Sequence, residues 1–160
     1  MEEREKWIGL FCARLFEENN IRFIQELQKH CQRENYRIMI FSLDTCVEED
    51  TENVPAELEL IRLSQYISLD AGIILAESIK NYVLLEHIAR IMHVKEVPCF
   101  CIERQIEGCY CLFHTEETGF EPMVRHVIQD HGARKINMLA GLKNNLYSQM
   151  RIEQYKKVLA

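Results

Sequence analysis

The sequence predicts an α/β domain built as a three-layer, doubly wound, mainly parallel sheet. Three observations carry that prediction. Short β-branched and apolar runs alternate along the chain with longer segments of helical period. The strand-like runs are almost continuously apolar, as parallel strands covered on both faces require. The chain has 160 residues, 48% hydrophobic and 28% charged, which suits one soluble domain with a sizeable core.

The elements follow in order. Trp7-Ile8-Gly9-Leu10-Phe11-Cys12 reads as a buried strand. Ile21, Ile24, Leu27 and Cys31 then recur at spacings of three and four, one face of a helix. Tyr36 to Ser42 is a second strand, followed by the acidic loop Glu48-Glu49-Asp50-Thr51-Glu52. Pro55 opens a helix carrying Leu58, Ile61 and Leu63, since proline is tolerated in a first turn. Asp70 to Ala76 is a third strand, and Leu84, Leu85, Ile88, Ile91 and Met92 mark the next helix. Val97 to Ile102 is a fourth strand, with Pro98 near its start where a missing donor is tolerated. Cys109 to Phe113 is a fifth, set off by Gly108. Met123, Val124, Val127 and Ile128 give a helix that starts near Glu121, just before Pro122, and stops near Gly132. Lys135 to Ala140 is a sixth strand, and a last helix carries Ile152, Tyr155, Val158 and Leu159. Neither an internal repeat nor a linker is visible.

Composition excludes several classes. With 6 Gly, 3 Pro and no biased tract, the chain is neither collagen-like nor low-complexity. No apolar run approaches the roughly 18 residues of a membrane span. The charged opening Met1-Glu2-Glu3-Arg4-Glu5-Lys6 precedes an apolar stretch too short for a signal peptide, so export is not expected. A net charge of −6 lacks the field that draws proteins to phosphate backbones, so no direct nucleic-acid partner is expected, and no membrane. Seven cysteines, an odd number without a secreted-framework spacing, read as reduced thiols in a cytoplasmic protein.

The usual α/β chemistries also lack their residues. A dinucleotide fold needs Gly-x-Gly-x-x-Gly after its first strand, and only Gly9 is there, inside the strand. The phosphate loop and the Gly-x-Ser-x-Gly elbow are absent. A phosphoacceptor domain wants acids at strand ends that here read Cys12-Ala13-Arg14 and Ala76-Glu77-Ser78. Cys99-x-Cys101 and Cys109-x-Cys111, with His114 nearby, invite a zinc reading. Alternate strand residues sit about 6.6 Å apart. Two thiolates on one zinc must come within about 3.8 Å. Buried structural thiols are therefore expected, with no metal and no cofactor. His30, His87 and His126 lie on predicted helices and are given structural roles.

In open parallel sheets small molecules bind outside the carboxyl ends of the strands, near the point where strand order reverses. The residues leaving those ends are Arg14, Phe16 and Glu17; Glu77 and Ser78; Glu103 and Arg104; Thr115, Glu116 and Glu117; and Gly141, Lys143, Asn144 and Asn145, with Arg151 in the following helix. Such a rim suits a polar ligand held by bidentate arginine contacts, with Phe16 as an apolar wall. Loops facing water are polar in any α/β domain, so the rim alone does not settle ligand binding.

Five segments resemble one family. Ile8-Gly9-Leu10-Phe11, a helix, and then Tyr36 to Ser42 resemble the start of the lac-repressor-type, periplasmic-binding-protein-like sensor domain. Asp70-Ala71-Gly72-Ile73-Ile74 is similar to its "(V/F)DGII" strand, and Val97 to Arg104 to its "hPVVhIDR" strand, with Glu103 in place of Asp. His131 to Gly141 is similar to "LGHRRIAFIGG", and Arg151-Ile152-Glu153-Gln154-Tyr155 to "RxxGY", with Gln154 for the glycine. The resemblance covers essentially the whole chain in order. It implies a first lobe, residues 1–160, with strand order 2-1-3-4-5, and a ligand caught against a second lobe beyond Ala160. It implies a small polar ligand such as a sugar or nucleoside, and a homodimer. By position it places Ala13 or Arg14, Phe16, Ala76, Glu77, Glu103, Arg104 and Arg151 toward the ligand. Its "DN" after the fifth strand falls on Thr115-Glu116 or Glu116-Glu117, which puts Glu116 in the set.

The opening Leu10, Phe11, Leu15, Phe16 and Glu17 also resembles the variant of this sensor found ahead of GGDEF diguanylate cyclase modules in clostridial-type bacteria. Met1 lies a few residues before the first strand, so the output module is expected downstream. The expected function is a cytoplasmic small-molecule-sensing lobe, with no catalytic residue of its own, that controls a cyclase. The effector-binding domain of a lac-repressor-type transcriptional regulator is the alternative. Two other classes stay open. One is a doubly wound hydrolase or transferase using Cys12 or Glu77 as catalyst. The other is an interaction module whose helices dimerise.

Overall fold

The computed structural model describes residues 4–44, 54–113, 119–141 and 146–159. Contacts divide the chain into two compact units, Met1–Phe113 and His114–Ala160.

The first unit is an α/β sheet. Its elements are β1 (Lys6–Ala13), α1 (Glu18–Arg33), β2 (Tyr36–Leu43), α2 (Val54–Leu63), a 3-10 turn (Ser64–Tyr66), β3 (Ala71–Leu75), α3 (Ala76–Ile79), α4 (Tyr82–Val94), β4 (Cys99–Ile102) and β5 (Tyr110–Leu112). The five strands are parallel and ordered β2-β1-β3-β4-β5, the order the resemblance implies. Strand order reverses between β1 and β3: the path from β1 leads outward to β2, and the path from β3 leads the other way to β4. That is the topological switch point.

Alternation along β1 explains why the strand is apolar throughout. Phe11 and Ala13 join one core with Phe41, Ile61 of α2, Ile74, and Leu84, Leu85, Ile88 and Met92 of α4. Leu10 and Cys12 point to the opposite core, with Leu75, and with Phe23 and Ile24 of α1 packed against them. Both sheet faces are thus covered, which gives the three layers. Phe11 and Phe41 stack with ring centroids 4.6 Å apart. Asn81 caps α4, its side-chain oxygen accepting from the Leu84 N–H at 3.3 Å.

The second unit holds α5 (Phe120–Gln129) and α6 (Leu146–Leu159). α5 begins one residue before Glu121, and Pro122 falls in its first turn, where a backbone N–H would have no acceptor within the helix. Glu121 ties the two helices, pairing with Arg125 at 2.8 Å and with Lys157 at 3.0 Å. The expected sixth strand is a correction: residues 133–141 carry no strand. A strand exists only with a ladder partner, and no other strand lies among the described residues of this unit. Burial does alternate along the run, since Ile136 and Met138 are half-buried while Asn137 and Leu139 are exposed. These residues pack toward helices instead, and the Ile136 carbonyl accepts from Tyr155 Oη at 2.6 Å.

Candidate functional site

The loops at the carboxyl ends of β1, β3 and β4 are braced from beneath. Ala13 ends β1, and its N–H donates to Ser78 Oγ at 3.0 Å across the switch point. Ser78 in turn donates to the Leu75 carbonyl at 2.7 Å. Buried Asn20 donates to the carbonyls of Ala13 and Arg14, at 2.9 and 3.0 Å. The β1 and β3 ends are therefore locked together by side chains on α1 and α3.

Above this brace the predicted residues gather in two places. Arg14 takes a left-handed backbone, φ 52°. Its guanidinium pairs with Glu17 at 2.6 Å, and its Nε is buried with no hydrogen-bond acceptor. Phe16 is 85% exposed, so an aromatic face stands ready for a ligand or partner. Arg14, Leu15, Phe16 and Glu17 line an open cleft of about 390 Å³ with Ser42, Leu43 and Asp44 of the neighbouring β2 end. On the other side of the switch point, Arg104 donates to the Lys80 carbonyl at 3.2 Å, and its second terminal nitrogen lies 3.9 Å from Glu77. Glu103 continues the ladder, its N–H donating to the Leu112 carbonyl at 2.8 Å. Lys80 and Glu103 also have positive φ, 60° and 67°.

Arg151 lies in the second unit, on α6. There it lines a cavity of about 450 Å³ whose walls include Phe120, Met123, Val127, Met138 and Tyr155. Glu116, with Thr115 and Glu117, lies outside the described residues. Sequence reasoning named Ser78 only as a strand-end residue and missed Asn20, Lys80, Ser42 and Asp44. Ser78 and Asn20 carry a signal only in their three-dimensional partners. Ser42 and Asp44 close and follow β2, the one strand beside β1 whose carboxyl end the sequence reading did not name.

The structure argues against Cys12 as a nucleophile. The thiol is fully buried, and burial pushes its pKa above the ordinary value. Among the described residues no group of three or more His, Cys, Asp or Glu could hold a metal ion. No helix of the described residues is long and apolar enough to cross a membrane.

These features define a doubly wound α/β domain with charged loops assembled at the switch point, the place where this class of sheet holds its ligands. No family model matches the sequence, and no curated protein matches it. Solved structures do match. The Lac repressor bound to ONPG superposes with a TM-score of 0.66 and 14% identity, over 99% of this chain and 45% of that one. An ABC sugar transporter subunit from Rhodobacter sphaeroides gives 0.68 and 12%, over 96% and 52%. A protein described as a ribose operon repressor from Burkholderia thailandensis gives 0.68 and 18%, over 98% and 56%. The likeness establishes the fold, that of a type I periplasmic-binding-protein-like lobe. The chain spans about half the length of the structures it matches.

Proposed function

We propose that this chain is the small-molecule-sensing lobe of a cytoplasmic bacterial regulatory protein, non-catalytic itself, which controls an attached output module. The observation that carries the proposal is the braced rim: Arg14 and Phe16 over a cleft on one side of the switch point, Arg104 and Glu77 on the other. The ligand is a small polar molecule, a sugar, nucleoside or similar. Arg14 and Arg104 supply charge-assisted hydrogen bonds, Glu77 and Glu103 orient hydroxyl or amine groups, and Phe16 stacks on an apolar face. Arg151 and Glu116, both in the second unit, are ligand residues by the sequence resemblance alone. Ligand acts by binding better to one of two arrangements of the whole sensor, and so biases the output between two states.

For the output, the Leu10-Phe11 and Leu15-Phe16-Glu17 opening favours a diguanylate cyclase. The likeness to repressors of known structure, among them a Lac repressor dimer bound to operator, favours a DNA-binding output instead. In both readings the sensor forms a homodimer, and a net charge of −6 leaves nucleic-acid contact to another module. The reading frame around this segment in its gene distinguishes the two outputs.

The binding test is thermal melting and calorimetry of the full-length protein against a panel of monosaccharides, disaccharides and ribonucleosides. Ligand at 100 times its Kd stabilises by about 2.7 kcal/mol. That corresponds to a rise in Tm of a few degrees for a protein larger than this chain. Arg104→Ala is expected to weaken the positive compound at least tenfold. A panel in which nothing raises Tm refutes the sensor reading, and unchanged affinity in Arg104→Ala removes that residue from the site.

A further inference from the structure

Four cysteines lie on two neighbouring strands and share one face. The β4–β5 register opposes Phe100 to Tyr110, Cys101 to Cys111 and Ile102 to Leu112. Cys99 opens β4 and Cys109 immediately precedes β5, so the two stand at the same end of this pair of strands. Cys99 and Cys101 are buried in the core beneath α4, and Cys109 and Cys111 are half-buried against that same core. Adjacent strands run about 4.8 Å apart. A disulfide spans Cα separations of about 4.4–6.8 Å. Residues on neighbouring strands therefore lie within the Cα span of a disulfide.

The two rows differ. Cys111 donates to main-chain carbonyls, those of Ile106 at 3.8 Å and Cys109 at 3.5 Å. The Cys99 and Cys109 thiols perturb each other's ionisation, which sets a buried thiol beside a partly accessible one. Gly72 makes room for Cys99: a Cβ there would lie 3.3 Å from Cys99 Sγ and 3.1 Å from the Met92 sulfur.

We propose that Cys109 and Cys99 form a redox-reactive dithiol, Cys109 attacking and Cys99 resolving, which closes to a disulfide with a low-molecular-weight disulfide as oxidant. The Cys109 thiolate attacks one sulfur of the oxidant, forming a mixed disulfide and expelling one small thiolate. The Cys99 thiol then gives up its proton and attacks the Cys109 sulfur, forming the Cys99–Cys109 bond and expelling the second small thiolate. Both protein thiols are oxidised, and the oxidant is reduced to two thiols. The electrostatics agree with these roles. The neighbouring Cys99 thiol holds Cys109 below its ordinary pKa, and Cys109 together with burial pushes Cys99 far up. Cys101, which the scheme leaves out, is pushed up to about 12, chiefly by burial. The crosslink would pin the three-residue edge strand β5 to β4, just before the chain turns through Glu103 and Arg104.

The test treats the reduced full chain with oxidised glutathione, unfolds it in denaturant containing N-ethylmaleimide so that every remaining thiol is blocked, and maps peptides by mass spectrometry. Two of the seven cysteines are expected to escape alkylation, as one crosslinked pair joining Cys99 to Cys109, and dithiothreitol restores both. Cys109→Ser abolishes the crosslink, whereas Cys111→Ser keeps it, each with a cooperative melt. Full alkylation of Cys99 and Cys109 after that oxidation overturns the proposal. So does glutathione left on Cys109 as a stable mixed disulfide, or a crosslink that maps to another pair.

Discussion

Ser78→Ala removes one oxygen from the point where the fold supports the proposed site. That hydroxyl accepts from the Ala13 N–H at 3.0 Å and donates to the Leu75 carbonyl at 2.7 Å. Ala13 is 0% exposed and Ser78 6%, so water is poorly placed to replace the oxygen. An N–H orphaned in this way costs about 1–3 kcal/mol, and the second bond adds about 0.5–1.5 kcal/mol when lost. The expected destabilisation is about 2–4 kcal/mol, which for a chain of this size lowers Tm by roughly 4–16 °C. Urea denaturation followed by circular dichroism measures it, with the m-value unchanged because no surface has been added to the transition. Amide hydrogen exchange locates it, with Ala13 losing protection before the centre of β1 does. A loss under about 0.5 kcal/mol would place Ser78 among ordinary surface substitutions and refute the brace.

Other perturbations test separate parts of the structure. Asp70 accepts from the Trp7 N–H at 2.8 Å and from Arg4 at 2.6 Å, and these contacts, the Trp7 bond first, hold its carboxyl below the ordinary value. Its contribution is therefore complete above the unfolded pKa of about 3.9 and is lost as pH falls through the lower folded value. In acid titration Asp70→Asn should lose that part of the pH dependence while remaining less stable at pH 7. Gly72→Ala drives a Cβ to 3.1 Å from the Met92 sulfur and 3.3 Å from Cys99 Sγ, and is expected to cost about 1–3 kcal/mol in chemical denaturation. Arg14→Gly releases a left-handed backbone worth about 1–2 kcal/mol against a glycine entropy cost of about 0.5–1 kcal/mol. It should melt at or above the wild-type temperature and still bind the sensor's ligand more weakly by calorimetry.

How much was legible in the sequence follows from what each signal measures. Strands buried on both faces announce themselves, and β1 to β4 lie within one or two residues of the runs read from hydropathy. β5 is shorter than its run because only Tyr110, Cys111 and Leu112 find a ladder, while Phe113 continues past it. α3 was missed because four residues are too few to show a helical period. The run from Lys135 to Ala140 was misread because alternation reports a half-buried extended segment and says nothing of what covers it. At the rim, the charged residues could be found by counting from strand ends. The polar groups that hold them could not. Asn20 sits on a helix, and Ser78 follows a strand, like many residues of their type. Only the fold brings Asn20 to Ala13 and Arg14, and Ala13 to Ser78.

Backbone strain gives a further reason to look at this rim rather than elsewhere. Among the described residues, five non-glycine residues have positive φ: Arg14, Asn35, Lys80, Glu96 and Glu103. Asn35 and Glu96 each lie one residue beyond a C-cap, where a left-handed residue commonly ends a helix. Arg14 and Glu103 end no helix; they follow β1 and β4 directly, at the carboxyl edge. Lys80 ends only the four-residue α3, and its ψ of −32° lies far from the left-handed helical value, so helix termination does not account for it. Each conformation costs about 1–3 kcal/mol and persists only where surrounding contacts hold it. Those contacts are present: Asn20 and the Leu43 carbonyl hold Arg14, Arg104 holds Lys80, and the Leu112 carbonyl holds Glu103. Glycine would take these turns without the steric cost. Instead the rim carries two cations and a carboxylate at its three sharpest turns, groups that can bind a polar molecule, and Arg14→Gly is the substitution that separates the cost of such a turn from its use.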